Sequence, residues 1–308
     1  MSKPRYASPV DLGTYGEYRF TQAPDDPRPL YRFEGRISRD GSTPFHAEPG
    51  RYHLYSGWFC PWAQRTVITR SLARLEDVVT LSYVDPERDG RGWAFRERYG
   101  PDPVNGFTLL REAYEATEPG FDGHVSVPTL WDRATGRTVS NQFRTIGIDF
   151  ATQFAHLARP VVETYPAALA EEIERLDAWL GPAVNKGAHA AAGTDATALA
   201  ARRTLLEAFA ELDQLLATRR FLLGDRITEA DIRLWVTLVR FDVGPNADRS
   251  IIDGLHVYPN LWAYARDLYT VPAFRDSTDF STFGKPGAEL PDWDQEPGRD
   301  ALAGAGAR

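Results

Sequence analysis

The sequence contains very little sulfur. Among its 308 residues there is one cysteine, Cys60, and one methionine. A single cysteine excludes an internal disulfide and a zinc site built from several cysteines. Any disulfide chemistry at Cys60 therefore needs a second sulfur, and we expect it to arrive on a small molecule.

Two further features are missing. No apolar stretch approaches the ~20 residues that span a bilayer, and the N-terminal twenty residues lack the apolar centre of a signal peptide. Basic residues are outnumbered by acidic ones, which gives a formal charge of −8, so the positive surface that binds nucleic acids or anionic membranes is absent. We expect a folded cytoplasmic protein with a small-molecule substrate and with no nucleic-acid partner, no membrane partner and no metal.

The first half of the chain alternates between element types. Residues 1–50 are rich in Pro, Gly, Arg and Asp and show little periodicity, which predicts an irregular arm held on the body by aromatic residues such as Phe20 and Tyr31. Residues 51–157 alternate between apolar strands and amphipathic helices. The order β-α-β followed by β-β-α is typical of a thioredoxin-like domain, with a long polar insertion over residues 86–124.

The second half of the chain has a helical pattern. Residues 160–285 predict an all-helical domain in which one helix stops at the Gly-Pro pair 181–182 and is followed by a loop and a long helix. Thr228 and Asp231 have the spacing of a capping box, with Asp in place of Glu or Gln. Residues 286–308 are predicted to be an irregular tail. The predicted fold class is an α/β thioredoxin-like N-terminal domain plus an all-α C-terminal domain.

Cys60 stands where a predicted strand turns into a helix, in the segment GWFCPWAQR. Pro61 follows, and proline is favoured in the first turn of a helix, so we expect the thiol at the helix N-cap. Unpaired backbone N–H groups and the positive end of the helix dipole stabilise a thiolate there. Arg65 adds to that field unless it points into solvent. The alternative is a buried structural cysteine.

Two nearby features extend the comparison with thioredoxin. Ala63 occupies the position of the second cysteine of a C-x-x-C motif, so a mixed disulfide at Cys60 must be released by an external thiol. Pro128, in SVPTLWD, matches the cis-proline of thioredoxin-like folds, which exposes the backbone of Val127 toward the thiol ligand. A proline at the start of a simple edge strand is the alternative.

Four segments resemble a known family: YHLYSGWFCPWAQR, DGRGWAF, VSVPTLWDRATGRTVSN and LGDRITEADIRLWVTLVRFD. They are similar to the Xi class of glutathione transferases, the glutathionyl-hydroquinone reductases, and the likeness covers most of the chain. The resemblance implies the glutathione transferase fold, often a homodimer, and a cysteine that takes the sulfur of an S-conjugated hydroquinone. The hydroquinone then departs, and a second thiol molecule frees the enzyme as a disulfide.

Carried over by position, the resemblance makes Cys60 the nucleophile and places Trp93 at the thiol site. It also gives Val127, beside Pro128, backbone contacts to the thiol. Other positions depart from the family. An arginine before the family's VTVP segment appears here as His124.

The family's Asn-Glu-Ser-Ser-Glu run, which holds the γ-glutamyl end of glutathione, appears here as Asn-Gln-Phe-Arg-Thr over residues 141–145. Each lost charge-assisted hydrogen bond forfeits about 1.5–3 kcal/mol of binding. The expected cosubstrate is therefore a low-molecular-weight thiol, with mycothiol, which carries a sugar–cyclitol unit, preferred over glutathione. Asn141, Gln142 and Arg144 either bind its hydroxyls or cap the following helix.

The remaining candidates concern the substrate. His189 matches a pocket tyrosine of the family and either protonates the departing carbon or is simply solvated. Trp58, Phe59 and Trp62 suit a flat aromatic or quinone-type substrate, although such rings also fill cores. Two alternatives to the reductase stay open. One is a glutathione-transferase-like tailoring enzyme, a transferase or isomerase of a specialised metabolite; the other is a non-catalytic ligand-binding member of the fold.

Overall fold

The computed structural model describes residues 3–294, so the part of the predicted tail beyond Asp294 lies outside the described residues. The described residues form two compact units, and the division falls between residues 161 and 162. None of the described helices is both long and apolar enough to cross a membrane.

The first unit combines strands with helices. Its elements in chain order are α1 (Leu12–Tyr15), β1 (Ile37–Ser38), β2 (Phe45–His46), β3 (Tyr52–Ser56), α2 (Pro61–Leu72), β4 (Val79–Tyr83), α3 (Arg111–Thr117), β5 (Thr129–Asp132), β6 (Arg137–Ser140) and α4 (Phe143–Thr152).

A four-stranded mixed sheet organises this unit, with the strand order β4-β3-β5-β6. Strands β3 and β4 are parallel, whereas β5 is antiparallel to both β3 and β6. In this register Leu54 of β3 lies between Leu81 of β4 and Leu130 of β5. Because the parallel pair encloses α2 and the antiparallel pair leads into α4, the predicted thioredoxin-like fold is confirmed.

Each face of the sheet covers its own apolar core. Leu54 and Leu130 point to one face, where they pack with Val67 of α2 and Phe150 of α4. Successive strand residues point to opposite faces, so Tyr55 and its neighbours pack on the other side with α3 and the insertion. With both faces covered, the turn from β3 into α2 is held between two packed layers.

The second unit is built from helices over its described residues. Its α-helices are α5 (Ala170–Leu180), α6 (Gly187–Ala190), α7 (Ala196–Leu216), α8 (Glu229–Phe241), α9 (Pro259–Tyr269) and α10 (Pro272–Arg275).

The predicted capping box at the start of α8 is confirmed. The Asp231 carboxylate accepts hydrogen bonds from the backbone N–H of Thr228 at 2.7 Å and from that of Leu222 at 2.9 Å. The Tyr264 hydroxyl donates to the same carboxylate at 2.9 Å. Every residue of α8 is buried, so this carboxylate fixes the start of a central helix.

The loop predicted directly after residues 181–182 needs correction, although the helix does stop there. Helix α5 ends at Leu180, but the backbone continues through a π-helical turn, Gly181–Lys186, directly into α6. Proline is tolerated there because it stands in the first turn of the new segment, where its missing N–H is not needed. Gly187 permits the close packing, since a Cβ atom at that position would lie 3.0 Å from the carbonyl oxygen of Pro182. His189 consequently lies on α6 and not in a loop.

Candidate active site

Cys60 is the N-cap residue of α2, as its position before a proline predicts. Its backbone is extended, with φ −93° and ψ 115°, and Pro61 fills the first helical position. The side chain is half-buried and makes no disulfide. The thiol is therefore neither sealed in the core nor fully in solvent, and it stands beside the N–H groups of the first helical turn that lack an intrahelical acceptor.

The loop before β5 approaches this sulfur. The peptide bond between Val127 and Pro128 is cis, and the Cys60 Sγ atom donates to the Val127 carbonyl oxygen at 3.6 Å. Gly57 leaves room at the turn for two side chains, because a Cβ atom there would lie 2.7 Å from the Phe59 ring and 3.3 Å from the Val127 side chain. The structure thus brings Cys60, Val127 and Pro128 together.

Trp93 joins the site through ring stacking. Its indole lies 4.3 Å, centroid to centroid, from the Phe59 ring, and the guanidinium of Arg88 lies 4.1 Å from the Trp93 ring centre. The same guanidinium is 4.4 Å from the ring of Tyr18, in the arm. The sequence analysis missed Arg88, because nothing in its local pattern separates it from the other arginines of a polar insertion.

The other two predicted pocket aromatics also have partner rings. Trp58 stacks on Tyr83 at 4.3 Å, and Trp62 stacks on Phe143 at 5.0 Å. Both tryptophans are half-buried. Each therefore keeps part of its surface accessible, and its partner ring helps to fix its orientation.

Arg65 does not point into solvent. It is buried, and its guanidinium lies 4.6 Å from the Trp62 ring centre. Arg65 is thus a buried positive charge at the start of the second turn of α2, five residues after Cys60, and a positive charge close to a thiol favours the thiolate.

Tyr31, from the arm, was not predicted as a site residue. Its ring lies edge-on to Phe143 at 5.8 Å. Burial and the negative charge of the Cys60 thiolate raise the pKa of the Tyr31 phenol. The arm therefore brings a protonated phenol into the electrostatic range of the sulfur, which its irregular sequence gave no way to foresee.

Asn141 has a structural position. Its side chain is fully buried, its Oδ1 accepts from the Phe33 N–H at 3.1 Å, and its Nδ2 donates to Ser126 Oγ at 3.3 Å. The amide is used to tie the arm to the sheet, so we remove Asn141 from the candidate thiol contacts.

Gln142 differs from its neighbour. It is the N-cap residue of α4 and makes no side-chain cap. Its Oε1 atom is buried and has no hydrogen-bond partner among residues 3–294. This oxygen is therefore an acceptor that no described protein group uses. The guanidinium of Arg144, two residues later, lies 5.9 Å from the Phe143 ring centre.

His124 packs against the arm. Its Nδ1 is 3.3 Å from the Tyr18 hydroxyl, and its ring lies 5.2 Å from the Phe20 ring. Burial, and then the positive charge of Arg88, lower the pKa of His124 below its usual value. The imidazole is therefore neutral at pH 7 and does not reproduce the charge of the arginine that the family carries there.

His189 lies in the second unit, on the exposed side of α6. Contact with neighbouring protein atoms and the positive charges of Arg240 and Lys285 lower its pKa. It is neutral at pH 7. Among the described residues no group of three or more His, Cys, Asp or Glu side chains is arranged to hold a metal ion.

Comparisons with known proteins agree with this geometry. A family model described as the C-terminal domain of glutathione S-transferase matches residues 166–267. The glutathionyl-hydroquinone reductase YqjG of Escherichia coli is 36% identical over 258 residues, covering 80% of this chain and 77% of that protein.

Solved structures give the same result. The glutathione-bound structure of YqjG superposes with a TM-score of 0.80 at 32% identity, covering 87% of this chain and 96% of that chain. The Xi glutathione transferase of Phanerochaete chrysosporium has a TM-score of 0.77 at 33% identity and covers 86% and 96% of the two chains. A glutathione transferase from Gordonia bronchialis has a TM-score of 0.81 at 36% identity and covers 88% and 91%.

Proposed function

This chain belongs to the Xi class of glutathione transferases, the family of the glutathionyl-hydroquinone reductases, and we propose that it cleaves S-conjugated hydroquinones or related aryl thioethers through Cys60. It is a glutathione-transferase-like enzyme. The observation that carries the proposal is the half-buried sulfur at the N-cap of α2, 3.6 Å from the Val127 carbonyl oxygen.

The reaction has two balanced steps. In the first, the Cys60 thiolate attacks the thioether sulfur, an S–S bond forms and the sulfur–aryl bond breaks. The electron pair goes to the aryl carbon, which takes up a proton and leaves as the free hydroquinone. In the second, the thiolate of a low-molecular-weight thiol attacks the mixed disulfide, so that a small-molecule disulfide departs and Cys60 is returned as a thiolate. The thiol is oxidised and the conjugate is reduced.

The thiol would lie along the loop before Pro128. Val127 offers its backbone to the cysteinyl part of the thiol, as the resemblance implies, and Trp93 covers one side. The unpaired Oε1 atom of Gln142 supplies an acceptor for an ammonium or hydroxyl group at the far end. This acceptor fits both glutathione and mycothiol, so we carry both thiols forward as candidates for the cosubstrate.

The aromatic part of the conjugate would lie against Trp58 and Trp62, whose orientations are fixed by Tyr83 and Phe143. The role of His189 as a proton donor to the departing carbon, in place of the family's tyrosine, stays a prediction of the sequence. Cytoplasmic location and a homodimeric assembly remain predictions of the sequence.

The direct test is Cys60→Ser, assayed by release of hydroquinone from a glutathionyl or mycothiyl conjugate. We expect turnover to fall to background, because a serine hydroxyl is a far weaker nucleophile toward sulfur than a thiolate. A control measures thermal unfolding of the same variant, which should change little at a half-buried N-cap. Turnover retained by the serine variant would contradict the proposal and favour the tailoring enzyme.

A further inference from the structure

One cation near the candidate thiol site has no anionic partner. Arg88 is half-buried between two rings, with its guanidinium 4.1 Å from the Trp93 ring centre and 4.4 Å from that of Tyr18. Within residues 3–294 no carboxylate forms an ion pair with it. Burial lowers the pKa of Arg88, yet an arginine stays charged at all ordinary pH values.

The carboxylates next to Arg88 in the chain are engaged elsewhere. Asp89 accepts from Arg91 at 2.7 Å, and Asp85 pairs with Arg96 at 3.5 Å. Glu87 is exposed. A partly desolvated guanidinium with no carboxylate is costly in a folded protein unless something else compensates it. Stacking on two rings compensates part of that cost, and the fork of N–H donors is left for a ligand.

Arg88 is connected to the segments around the Cys60 thiol by ring contacts. The Trp93 ring that carries Arg88 also stacks on Phe59, the residue before Cys60, at 4.3 Å. Tyr18, on the other side, contacts His124, three residues before Val127, at 3.3 Å. Arg88 is thus joined through one ring to each of the two segments that meet at the Cys60 sulfur.

The residue at position 124 supports a binding role for Arg88. The family resemblance places an arginine at that position, and the neutral imidazole of His124 does not replace its charge. The charge of Arg88 itself is one cause of that neutrality. Arg88 therefore supplies a positive charge beside this segment, and it comes from the insertion instead of from the segment before Pro128.

We propose that Arg88 binds the terminal carboxylate of the thiol cosubstrate and makes the enzyme selective for thiols that carry one, as glutathione does at its glycyl end. The inference rests on the proposed function, which it refines. It also reverses the preference that the sequence suggested, because mycothiol has no carboxylate to offer. Arg88 acts here as a specificity-determining residue and takes no part in the chemistry at sulfur.

The test measures binding and does not depend on turnover. S-methylglutathione, which cannot form a disulfide, and its glycyl monoethyl ester are titrated by calorimetry into the wild-type chain and into Arg88→Gln, Arg88→Lys and Arg98→Gln. Arg98 is the matched control, since it is an exposed arginine of the same insertion. We expect the wild type to bind the acid about 10- to 100-fold more tightly than the ester, as loss of one charge-assisted hydrogen bond implies.

In Arg88→Gln the acid and the ester should bind within about twofold of each other, Arg88→Lys should recover part of the difference, and Arg98→Gln should match the wild type. Equal binding of acid and ester by the wild type would overturn the proposal. An equal loss of affinity for both ligands in Arg88→Gln would also overturn it, because that result indicates a purely structural role for the arginine. A wild-type protein that binds neither ligand would overturn it as well. Hydroquinone release assayed on the same preparations reports separately on the proposed function.

Discussion

The Sγ atom of Cys60 lies 3.6 Å from the carbonyl oxygen of Val127. Two opposing effects act on the thiol at this point. The carbonyl accepts the S–H proton and so favours the neutral thiol, whereas the first turn of α2 and the buried charge of Arg65 favour the thiolate. Because the second set combines unpaired N–H groups, the helix dipole and a full charge, we expect the thiolate to dominate.

The first prediction is that Cys60 reacts as a thiolate at a lower pH than a free cysteine does. The rate of alkylation by iodoacetamide, measured against pH, should rise to a plateau with a midpoint below the ~8.5 of a free cysteine. The chain has one cysteine, so the reaction reports on this site alone. A midpoint at or above the free value would show that the carbonyl dominates, and it would favour a non-catalytic member of the fold.

The second prediction concerns Gln142, whose buried Oε1 atom has no partner among the described residues. The family carries a glutamate in this place, as the resemblance implies. Gln142→Glu should lower the KM for glutathione by about 3- to 10-fold, because a carboxylate binds the γ-glutamyl ammonium more strongly than an amide oxygen does. Steady-state kinetics with varied thiol measure this.

Gln142→Leu is the matched control, and it should raise the KM for glutathione because the ammonium then loses its acceptor. Neither change should alter the alkylation rate of Cys60. If Gln142→Glu left the KM unchanged, the unpaired oxygen would have no part in binding the thiol's ammonium group.

The third prediction concerns His53, which is fully buried in β3. Its ring nitrogens lie 2.6 Å from Thr80 Oγ1 and 2.8 Å from Ser82 Oγ. Burial, with smaller contributions from Arg133 and Arg70, lowers the pKa of His53 to about 3. In the unfolded chain His53 takes up a proton near pH 6.5, whereas in the folded chain it stays neutral until about pH 3. His53 therefore makes the unfolding free energy fall as the pH drops from about 6.5 toward 3.

The comparison is with His53→Gln, which has no titrating ring. Denaturant unfolding at several pH values should show that the free-energy difference between the two proteins shrinks by about 1–2 kcal/mol between pH 6.5 and pH 5. A difference that stays constant over this range would mean that His53 takes up its proton in the folded state.

The fourth prediction concerns the start of α8. Asp231→Ala leaves the N–H groups of Leu222 and Thr228 and the Tyr264 hydroxyl without their acceptor. We expect a loss of about 2–4 kcal/mol in unfolding free energy, since buried donors lose their bonds as well as a helix cap. Asp195→Ala, at the exposed N-cap of α7 with one bond at 2.8 Å, should cost about 1 kcal/mol. Similar losses in the two variants would contradict this assignment.

The sequence predicted the parts of the molecule that local rules determine. Proline after Cys60 locates the start of α2, and the spacing of Thr228 and Asp231 locates the start of α8, because capping and the first helical turn depend on neighbouring residues. The thioredoxin-like order of elements followed from periodicity in the same way.

The parts that it missed depend on distant contacts. The Asn141 side chain is hydrogen-bonded to Phe33 and Ser126, which are more than ten residues away in the sequence. Arg88 and Tyr31 enter the site from an insertion and an arm with no periodic pattern. Their roles depend on rings that the fold brings to them, and no spacing in the sequence encodes those contacts.

The most direct test of the account is a single-turnover reaction. An excess of enzyme is mixed with a glutathionyl-hydroquinone in the absence of free thiol, quenched in acid and analysed by intact-protein mass spectrometry. We predict that the mass rises by one glutathionyl group on Cys60, in step with the hydroquinone released, and that a reducing agent removes it. Release of hydroquinone from a protein whose mass never changes would contradict the account, because the sulfur would then have left without passing through Cys60.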